Sequence, residues 1–156
     1  MLANRGLSGI DGTISTAVGA AAATGRPTRL LVGDLATLHD VGGLVVPPAE
    51  RSRLRLQVVV LDDDGGGIFG LLEHARYPDA FERVFGTPHG TDLACVATAL
   101  GVPAQQVSGR REVETAVRDV PDGISVLVVP ADRSALAALH AGIRAAVRAA
   151  VTDALG

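Results

Sequence analysis

The sequence predicts an α/β fold in which a parallel sheet carries helices on both faces. Apolar runs at 29–33, 56–61 and 124–129 have the length and the β-branched content of strands that are buried on both sides. Stretches of helical length separate these runs, and such a β-α order produces parallel strands joined by crossover helices. With 156 residues, 47% of them hydrophobic, the chain is long enough to bury one core. We therefore treat residues 1–156 as a single domain.

The first half of the chain alternates helices and strands. A helix is expected over 11–24, with Asp11 as its N-cap and Gly25 and Pro27 at its end. The strand 29–33 leads into a helix from about Ala36 to Val46, which Pro47 and Pro48 terminate. A charged connector follows, and the strand 56–61 completes this half.

The second half begins with a less regular stretch. Residues 68–72 could form a short helix that packs a core face, and 73–90 is expected to be irregular because it is rich in Pro and Gly. Asp92 should cap a helix that runs through Leu100, and 105–107 should form an edge strand. A helix over 111–117 and the strand 124–129 follow. Asp132 then caps a final helix with an apolar face made of Leu136, Leu139, Ile143, Val147 and Val151.

Composition excludes several classes of protein. A net charge of −3 gives no electrostatic case for nucleic acid or for an anionic membrane. No apolar run reaches about 18 residues, and Arg144 and Arg148 interrupt the Ala-rich C-terminal stretch, so we expect no membrane span. No signal peptide is apparent. The single Cys95 cannot form an internal disulfide, which is typical of a reducing cytoplasm, and we interpret this residue as a small buried hydrophobe.

Carboxylates follow two neighbouring strands of the predicted sheet. Asp34 comes after the first strand, and Asp62, Asp63 and Asp64 come after the second. Because the carboxyl ends of parallel strands share one edge, these acids should converge there. A divalent cation with oxygen ligands would offset their repulsion, and Mg²⁺ commonly combines one or two carboxylates with phosphates. A solvated acidic turn is the alternative, and spacing alone does not decide between the two.

Four segments together resemble a known family. They are the run from Asn4 to Gly12, Gly33-Asp34-Leu35, Gly65 to Phe69, and Phe85 to His89. The acids also resemble the thiamine diphosphate motif, in which Gly-Asp-Gly precedes an Asn-Asn pair; here Asp63 lies 29 residues after Asp34. The chain resembles the C-terminal, diphosphate-binding domain of the 2-succinyl-5-enolpyruvyl-6-hydroxy-3-cyclohexene-1-carboxylate synthases of menaquinone biosynthesis. The resemblance implies the thiamine diphosphate-binding fold of that domain.

The resemblance also implies a set of site residues. The ligands of Mg²⁺ (or Mn²⁺) would be Asp34, Asp63 and the backbone carbonyl of Gly65, with Asp62 or Asp64 as alternatives if the register differs by one. The residues that would bind thiamine diphosphate are Ser8, Ile10, Gly33, Asp34, Leu35, Gly66 and Ile68. The residues that would contact substrate are Arg5, Ile68 and Leu72. We interpret His39 and Asp40 as surface or capping residues.

The activity implied is the decarboxylation of 2-oxoglutarate and addition of the succinyl carbanion to isochorismate. The Glu that activates the cofactor lies in this family on a pyrimidine-binding domain, usually across a dimer interface, and no stretch here matches that domain. We therefore expect no catalytic residue in this chain, a pyrimidine-binding domain or subunit as its partner, and a homo-oligomer. Two alternatives remain: a non-catalytic dimerisation or scaffold module, allowed by Asp in place of Asn at 62–64, and an enzyme acting on another 2-oxo acid.

Overall fold

The computed structural model describes residues 1–4 and 9–155. The chain folds into two compact units. The sheet unit comprises Met1–Asp62 and Gly90–Ala131, and the turn unit comprises Asp63–His89 and Asp132–Gly156. The chain therefore passes from one unit to the other directly after Asp62.

The sheet unit is built on four parallel strands. They are β1 (Thr28–Gly33), β2 (Arg55–Asp62), β3 (Ala104–Gln106) and β4 (Gly123–Pro130), in the spatial order β1-β2-β4-β3. Val60 in the centre of β2 pairs with Val32 on one side and Val128 on the other. The predicted parallel sheet is confirmed, and each strand begins and ends within one residue of the predicted run.

The described part of the chain contains seven α-helices. They are α1 (Thr13–Thr24), α2 (Asp34–His39), α3 (Pro48–Arg51), α4 (Pro78–Phe81), α5 (Leu93–Ala99), α6 (Arg110–Ala116) and α7 (Arg133–Leu155). Short 3-10 turns cover Val41–Leu44, Gly67–Leu71 and Glu73–Arg76, and a π-turn covers Glu82–Gly86. The stretch 73–90, which we expected to be irregular, is thus mostly helical turns.

The core lies on one face of the sheet, where α1 and α5 pack. Alternate strand residues such as Leu56, Val58 and Val60 are fully buried there with Ile14 of α1. Burying each side chain of this size stabilises the fold by roughly 1.5–3 kcal/mol. The neighbouring strand positions point to the other face.

A polar cluster on that other face ties the sheet to α6. Gln57 is 3% exposed; its Oε1 accepts from Arg29 Nε at 2.8 Å, and its Nε2 donates to the Ala116 carbonyl at 2.9 Å. Arg29 also donates to the carbonyl of Val117. Each polar group thus gains a partner, which burial of Gln57 requires. Helices therefore lie on both faces of the sheet, as predicted.

Two predictions about α1 and α2 were wrong for one physical reason. Asp11 does not cap α1: the N-cap is Gly12, in the left-handed region at φ 71°, and it provides no side chain. Asp40 takes that role from 25 residues away, since its carboxylate accepts from Ser15 N at 2.7 Å and from Ser15 Oγ at 2.9 Å. Asp40 also ends the helix expected over 36–46, because it lies outside helical geometry at φ −128° between α2 and the 3-10 turn.

The capping predictions for α5 and α7 are confirmed. Asp92 accepts from Cys95 N at 2.8 Å, and Asp132 accepts from both Ser134 N and Ser134 Oγ. The interpretation of Cys95 as a buried hydrophobe was wrong, because its side chain is exposed on α5. A hydrogen bond between the thiol itself and Asp92, together with the negative charge of Asp92, raises the pKa of Cys95, which disfavours the reactive thiolate.

Helix α7 is 23 residues long and carries an exposed apolar stripe. Leu139, Ile143, Val147, Val151 and Leu155 recur every four residues and are each at least half exposed. By length and composition alone, α7 could cross a membrane, but a single helix of this kind is weak evidence for a span. The expectation that the chain has no span therefore stays a prediction.

Candidate functional site

Asp34 is fixed at the carboxyl end of β1. It is the first residue of α2, is only 3% exposed, and its Oδ1 accepts from the backbone N–H of Leu35 at 2.6 Å. Thr37 Oγ1 donates to the carbonyl of Gly33 at 2.8 Å, which holds the first turn of α2 against the strand end. A carboxylate in the first turn of a helix is favoured by the helix dipole. Hydrogen bonds at the start of α2 therefore hold a buried acid at this edge of the sheet.

Asp62 meets Asp34 at the same edge of the sheet. The register pairs Gly33 with Leu61, so that the acids that follow stand at the ends of neighbouring strands. Carboxylate oxygens of the two residues lie within 4.8 Å of each other. At this separation two negative charges repel by roughly 3 kcal/mol at an effective dielectric constant of 20. A hard cation with oxygen ligands fits such a pair, and its charge would reverse the sign of that interaction.

The turn that begins the second unit depends on its glycines. Gly65 has a φ of 130°, and a Cβ on it would collide with the carbonyl oxygen of Gly86. A Cβ on Gly66 would collide with the carbonyl oxygen of Phe85, while Gly66 N donates to Gly86 O at 2.7 Å. The close approach of these two backbone segments excludes any side chain at 65 and 66. The glycine run is therefore a structural requirement of the turn.

The three consecutive aspartates have different surroundings. Asp62 faces Asp34 in the sheet unit. The Asp63 carboxylate lies over the backbone of Gly67, where a Cβ would collide with Oδ2. Asp64 has a φ of 55° and accepts from the backbone N–H of His89 at 2.9 Å, which closes the turn unit on itself. The sequence pattern could not distinguish these roles because all three residues are identical.

The predicted apolar site residues are exposed. Ile68 is 67% exposed, Leu72 is 51% exposed and Ile10 is 42% exposed. The alternative in which the short helix at 68–72 packs a core face is therefore wrong for Ile68 and Leu72. Exposed apolar side chains of this kind are suited to line a ligand or an adjoining domain.

The remaining predicted residues divide between the units. Gly33 is exposed with an ordinary φ of −83°, and nothing lies within 4 Å of the position a Cβ would take. Leu35 beside it is half-buried. Asp63, Gly65, Gly66, Ile68 and Leu72 belong to the turn unit, whereas Gly33, Asp34 and Leu35 belong to the sheet unit. Arg5 and Ser8 lie outside the described residues. The assignments to metal, cofactor and substrate therefore stay predictions.

Sequence reasoning missed the residues that support the glycine turn. Arg133 Nη2 donates to Glu82 Oε2 at 2.8 Å beside Gly86, and Phe69 and Phe81 flank Phe85 with ring centroids at 5.6 and 6.2 Å. These are all three phenylalanines of the chain. The motif from Phe85 to His89 was one signal for this region. Arg133 had none, because its partner lies 51 residues away.

Comparison with known proteins gives one family match and many relatives. The family model described as "Thiamine pyrophosphate enzyme, C-terminal TPP binding domain" matches residues 1–129; thiamine pyrophosphate is another name for thiamine diphosphate. A solved structure, benzoylformate decarboxylase from Polynucleobacter necessarius, superposes with a TM-score of 0.62 at 24% identity, over 77% of this chain and 23% of that one. This likeness concerns the fold alone.

Curated relatives share the name 2-succinyl-5-enolpyruvyl-6-hydroxy-3-cyclohexene-1-carboxylate synthase. The protein of Renibacterium salmoninarum is 53% identical over 96% of this chain, that of Saccharopolyspora erythraea is 50% identical over 95%, and that of Paenarthrobacter aurescens is 48% identical over 98%. The matched region makes up 28%, 27% and 28% of these relatives. The chain thus spans little more than a quarter of their length.

Proposed function

The chain belongs to the family of thiamine pyrophosphate enzymes, as their C-terminal TPP-binding domain, and from this premise we propose that it is the diphosphate- and metal-binding part of a 2-succinyl-5-enolpyruvyl-6-hydroxy-3-cyclohexene-1-carboxylate synthase. Relatives of that name at about 50% identity support this choice over another 2-oxo acid enzyme. The substrates would be 2-oxoglutarate and isochorismate. The enzyme would work in the cytoplasm, for which a chain with one cysteine is suited.

The observation that carries the proposal is the convergence of Asp34 and Asp62 at the ends of β1 and β2. A buried, hydrogen-bonded carboxylate within 4.8 Å of a second one supplies hard oxygen donors at the edge where open α/β sheets bind ligands. We assign Asp34, Asp63 and the Gly65 carbonyl as ligands of Mg²⁺ or Mn²⁺. Asp62, whose carboxylate lies within 4.8 Å of the Asp34 carboxylate, is the alternative to Asp63 as a ligand.

The other predicted site residues would bind and orient the cofactor and the substrate. Gly33, whose Cβ position is open, would let the diphosphate approach its backbone, and Gly66, Ser8 and Leu35 would contact the cofactor. Ile10 and Ile68 would contact the cofactor ring. Ile68 and Leu72 would exclude water from one side of the substrate. Arg5 would bind a substrate carboxylate through its planar guanidinium.

When bound, thiamine diphosphate supplies an electron sink for the carbon that loses carbon dioxide. The chain's contribution is to anchor the diphosphate through the metal and to keep the reacting carbon in an apolar, water-poor environment. We assign the acid that activates the cofactor to a separate pyrimidine-binding domain, contributed by the remaining three quarters of a synthase polypeptide or by a partner subunit, in a homo-oligomer.

A binding experiment tests the metal and cofactor site. Titration calorimetry of the chain with Mg²⁺ and thiamine diphosphate should give heat that Asp34→Asn abolishes. Asp119→Asn is the matched control, because Asp119 is an exposed acid that precedes β4, at the opposite end of the sheet. Binding that survives Asp34→Asn would overturn the assignment. Absence of binding in all three proteins, even with a pyrimidine-binding partner present, would favour the scaffold module instead.

A further inference from the structure

Arg133, the first residue of α7, is held inside the turn unit by an ion pair. Its side chain is 21% exposed, and Nη2 lies 2.8 Å from Glu82 Oε2, whose own side chain is 59% exposed. Nη1 is buried and has no hydrogen-bond partner among the described residues. An ion pair of this exposure contributes little to stability by itself. Burying a guanidinium nitrogen without a hydrogen-bond partner also costs free energy. The ion pair alone therefore does not explain why the Arg133 side chain occupies this position.

The ion pair encloses Gly86. A Cβ built on Gly86 would lie 2.7 Å from Arg133 Nη1 and 2.7 Å from Glu82 Oε2, so the pair occupies the space a side chain would take. The Glu82 carbonyl also accepts from Thr87 N at 2.7 Å, directly after Gly86. The ion pair on one side and the Thr87–Glu82 backbone hydrogen bond on the other therefore fix the position of the Gly86 peptide.

Gly86 contacts the glycine turn at Gly65 and Gly66. Its carbonyl accepts from Gly66 N at 2.7 Å and lies where a side chain on Gly65 would be. Arg133 reaches the same turn directly, because its Cγ lies 3.3 Å from the Cβ position of Gly67. One side chain thus contacts the turn at Gly67 and the segment that supports it at Gly86.

We propose that Arg133, paired with Glu82, is a positioning residue that fixes the Asp63–Gly67 turn in the geometry in which Gly65 and Gly66 serve the metal and the diphosphate. The proposal rests on the proposed function for what the turn binds, but the support of the turn is a property of the chain itself. Arg133 touches neither metal nor cofactor in this role. Its planar fork, which lies against Gly86 while it pairs with Glu82, is a shape that Lys does not reproduce.

A ligand-free experiment tests the support. Amide hydrogen exchange of Gly66, whose N–H donates to Gly86, should accelerate by about tenfold in Arg133→Gln and in Glu82→Gln, the ratio expected from loosening one hydrogen bond. Arg133→Lys should lie between these variants and the unaltered chain, and the charge-swapped double variant Arg133→Glu with Glu82→Arg should restore part of the protection. Arg144→Gln, an exposed arginine on the same helix, is the matched control.

Internal comparisons separate positioning from a general loss of structure. Amides of Val58 and Val60 in β2 and of Ala146 in α7 should keep their exchange rates in every variant. Unchanged exchange of Gly66 in Arg133→Gln would overturn the proposal, and so would an equal acceleration at Ala146, which would indicate unfolding of the unit.

Mg²⁺ titration in the presence of thiamine diphosphate adds a second readout. The proposal expects Arg133→Gln and Glu82→Gln to weaken the Mg²⁺ Kd while Arg144→Gln leaves it unchanged. If the unaltered chain binds no metal at all, the proposed function fails at this step, whereas the exchange result still decides the role of Arg133.

Discussion

At the scale of single residues, two glycines of the candidate site differ in why they are glycine. Gly65 needs to be glycine for the fold, because φ 130° and the carbonyl of Gly86 both exclude a side chain. Gly33 does not: its φ of −83° suits any residue, and open space surrounds the position of its Cβ. A glycine that the fold does not require is best explained by something that approaches its backbone.

Substitution by alanine should separate these two cases. Gly33→Ala should leave the free energy of unfolding within about 0.5 kcal/mol, yet weaken thiamine diphosphate binding by about tenfold or more, equivalent to ~1.4 kcal/mol. Gly65→Ala should disrupt the turn unit itself. Urea unfolding and calorimetric titration measure the two effects. Gly19→Ala in α1 is the control; it should stabilise the chain by roughly 0.5–1 kcal/mol without changing binding. Undiminished binding by Gly33→Ala would remove Gly33 from the site.

At the scale of elements, α1 is capped from a distance. Asp40→Ala removes both hydrogen bonds to Ser15 and should destabilise the chain by about 1 kcal/mol, the usual cost of losing an N-cap. Asp11→Ala, at the position where the sequence predicts the cap, should change the unfolding free energy by less than about 0.5 kcal/mol. Urea denaturation of the two variants gives the comparison. The reverse order would mean that Asp11 caps α1 after all.

The cap of α5 should make stability depend on pH. The backbone N–H of Cys95 donates to Asp92 and lowers the pKa of this carboxyl below its usual value. The unfolded chain therefore binds this proton at a higher pH than the folded chain does, so the contribution of Asp92 is fully present above about pH 4 and is lost as pH falls through the lowered pKa. Ser134 similarly lowers the pKa of Asp132.

Asp92→Asn isolates the titration from the cap, because Asn also caps helices. The unaltered chain should lose stability below pH 4 more steeply than Asp92→Asn, measured as the urea midpoint at each pH. Above pH 5 the two curves should run parallel. An identical acid limb in both proteins would show that the charge of Asp92 contributes nothing.

The elements also show what the sequence could and could not predict. Three strands were predictable because short segments rich in Val, Ile and Leu, bounded by charged residues or glycine, are typical of buried strands. Asp92 and Asp132 were predictable as caps because their partners lie two or three residues ahead. The cap of α1, the support of Gly86 by Arg133 and the interior of 73–90 were not, because each depends on contacts between residues distant in sequence. The predicted convergence of Asp34 and Asp62 succeeded because strand topology alone determines it.

At the scale of the whole molecule, the chain leaves a set of large apolar side chains exposed. The stripe on α7 is at least half exposed at each of its five residues, and Leu31 on β1 is 75% exposed. The family model ends at residue 129, before α7, whereas the synthase relatives align over 95–98% of the chain. The stripe therefore lies outside the part of the chain that the family model matches. Exposed patches of this kind favour contact with further protein.

A complementation assay tests this division of the enzyme. With thiamine diphosphate, Mg²⁺, 2-oxoglutarate and isochorismate, the chain alone should form no product, because the acid that activates the cofactor is assigned to another domain. Adding the remaining three quarters of the Renibacterium salmoninarum synthase as a separate polypeptide should restore product formation. Asp34→Asn should not be restored, and Ile143→Ser with Val147→Ser should be restored poorly while unfolding in urea like the unaltered chain. Rapid product formation by the chain alone would contradict the proposed division, since every catalytic group would then have to lie within these 156 residues.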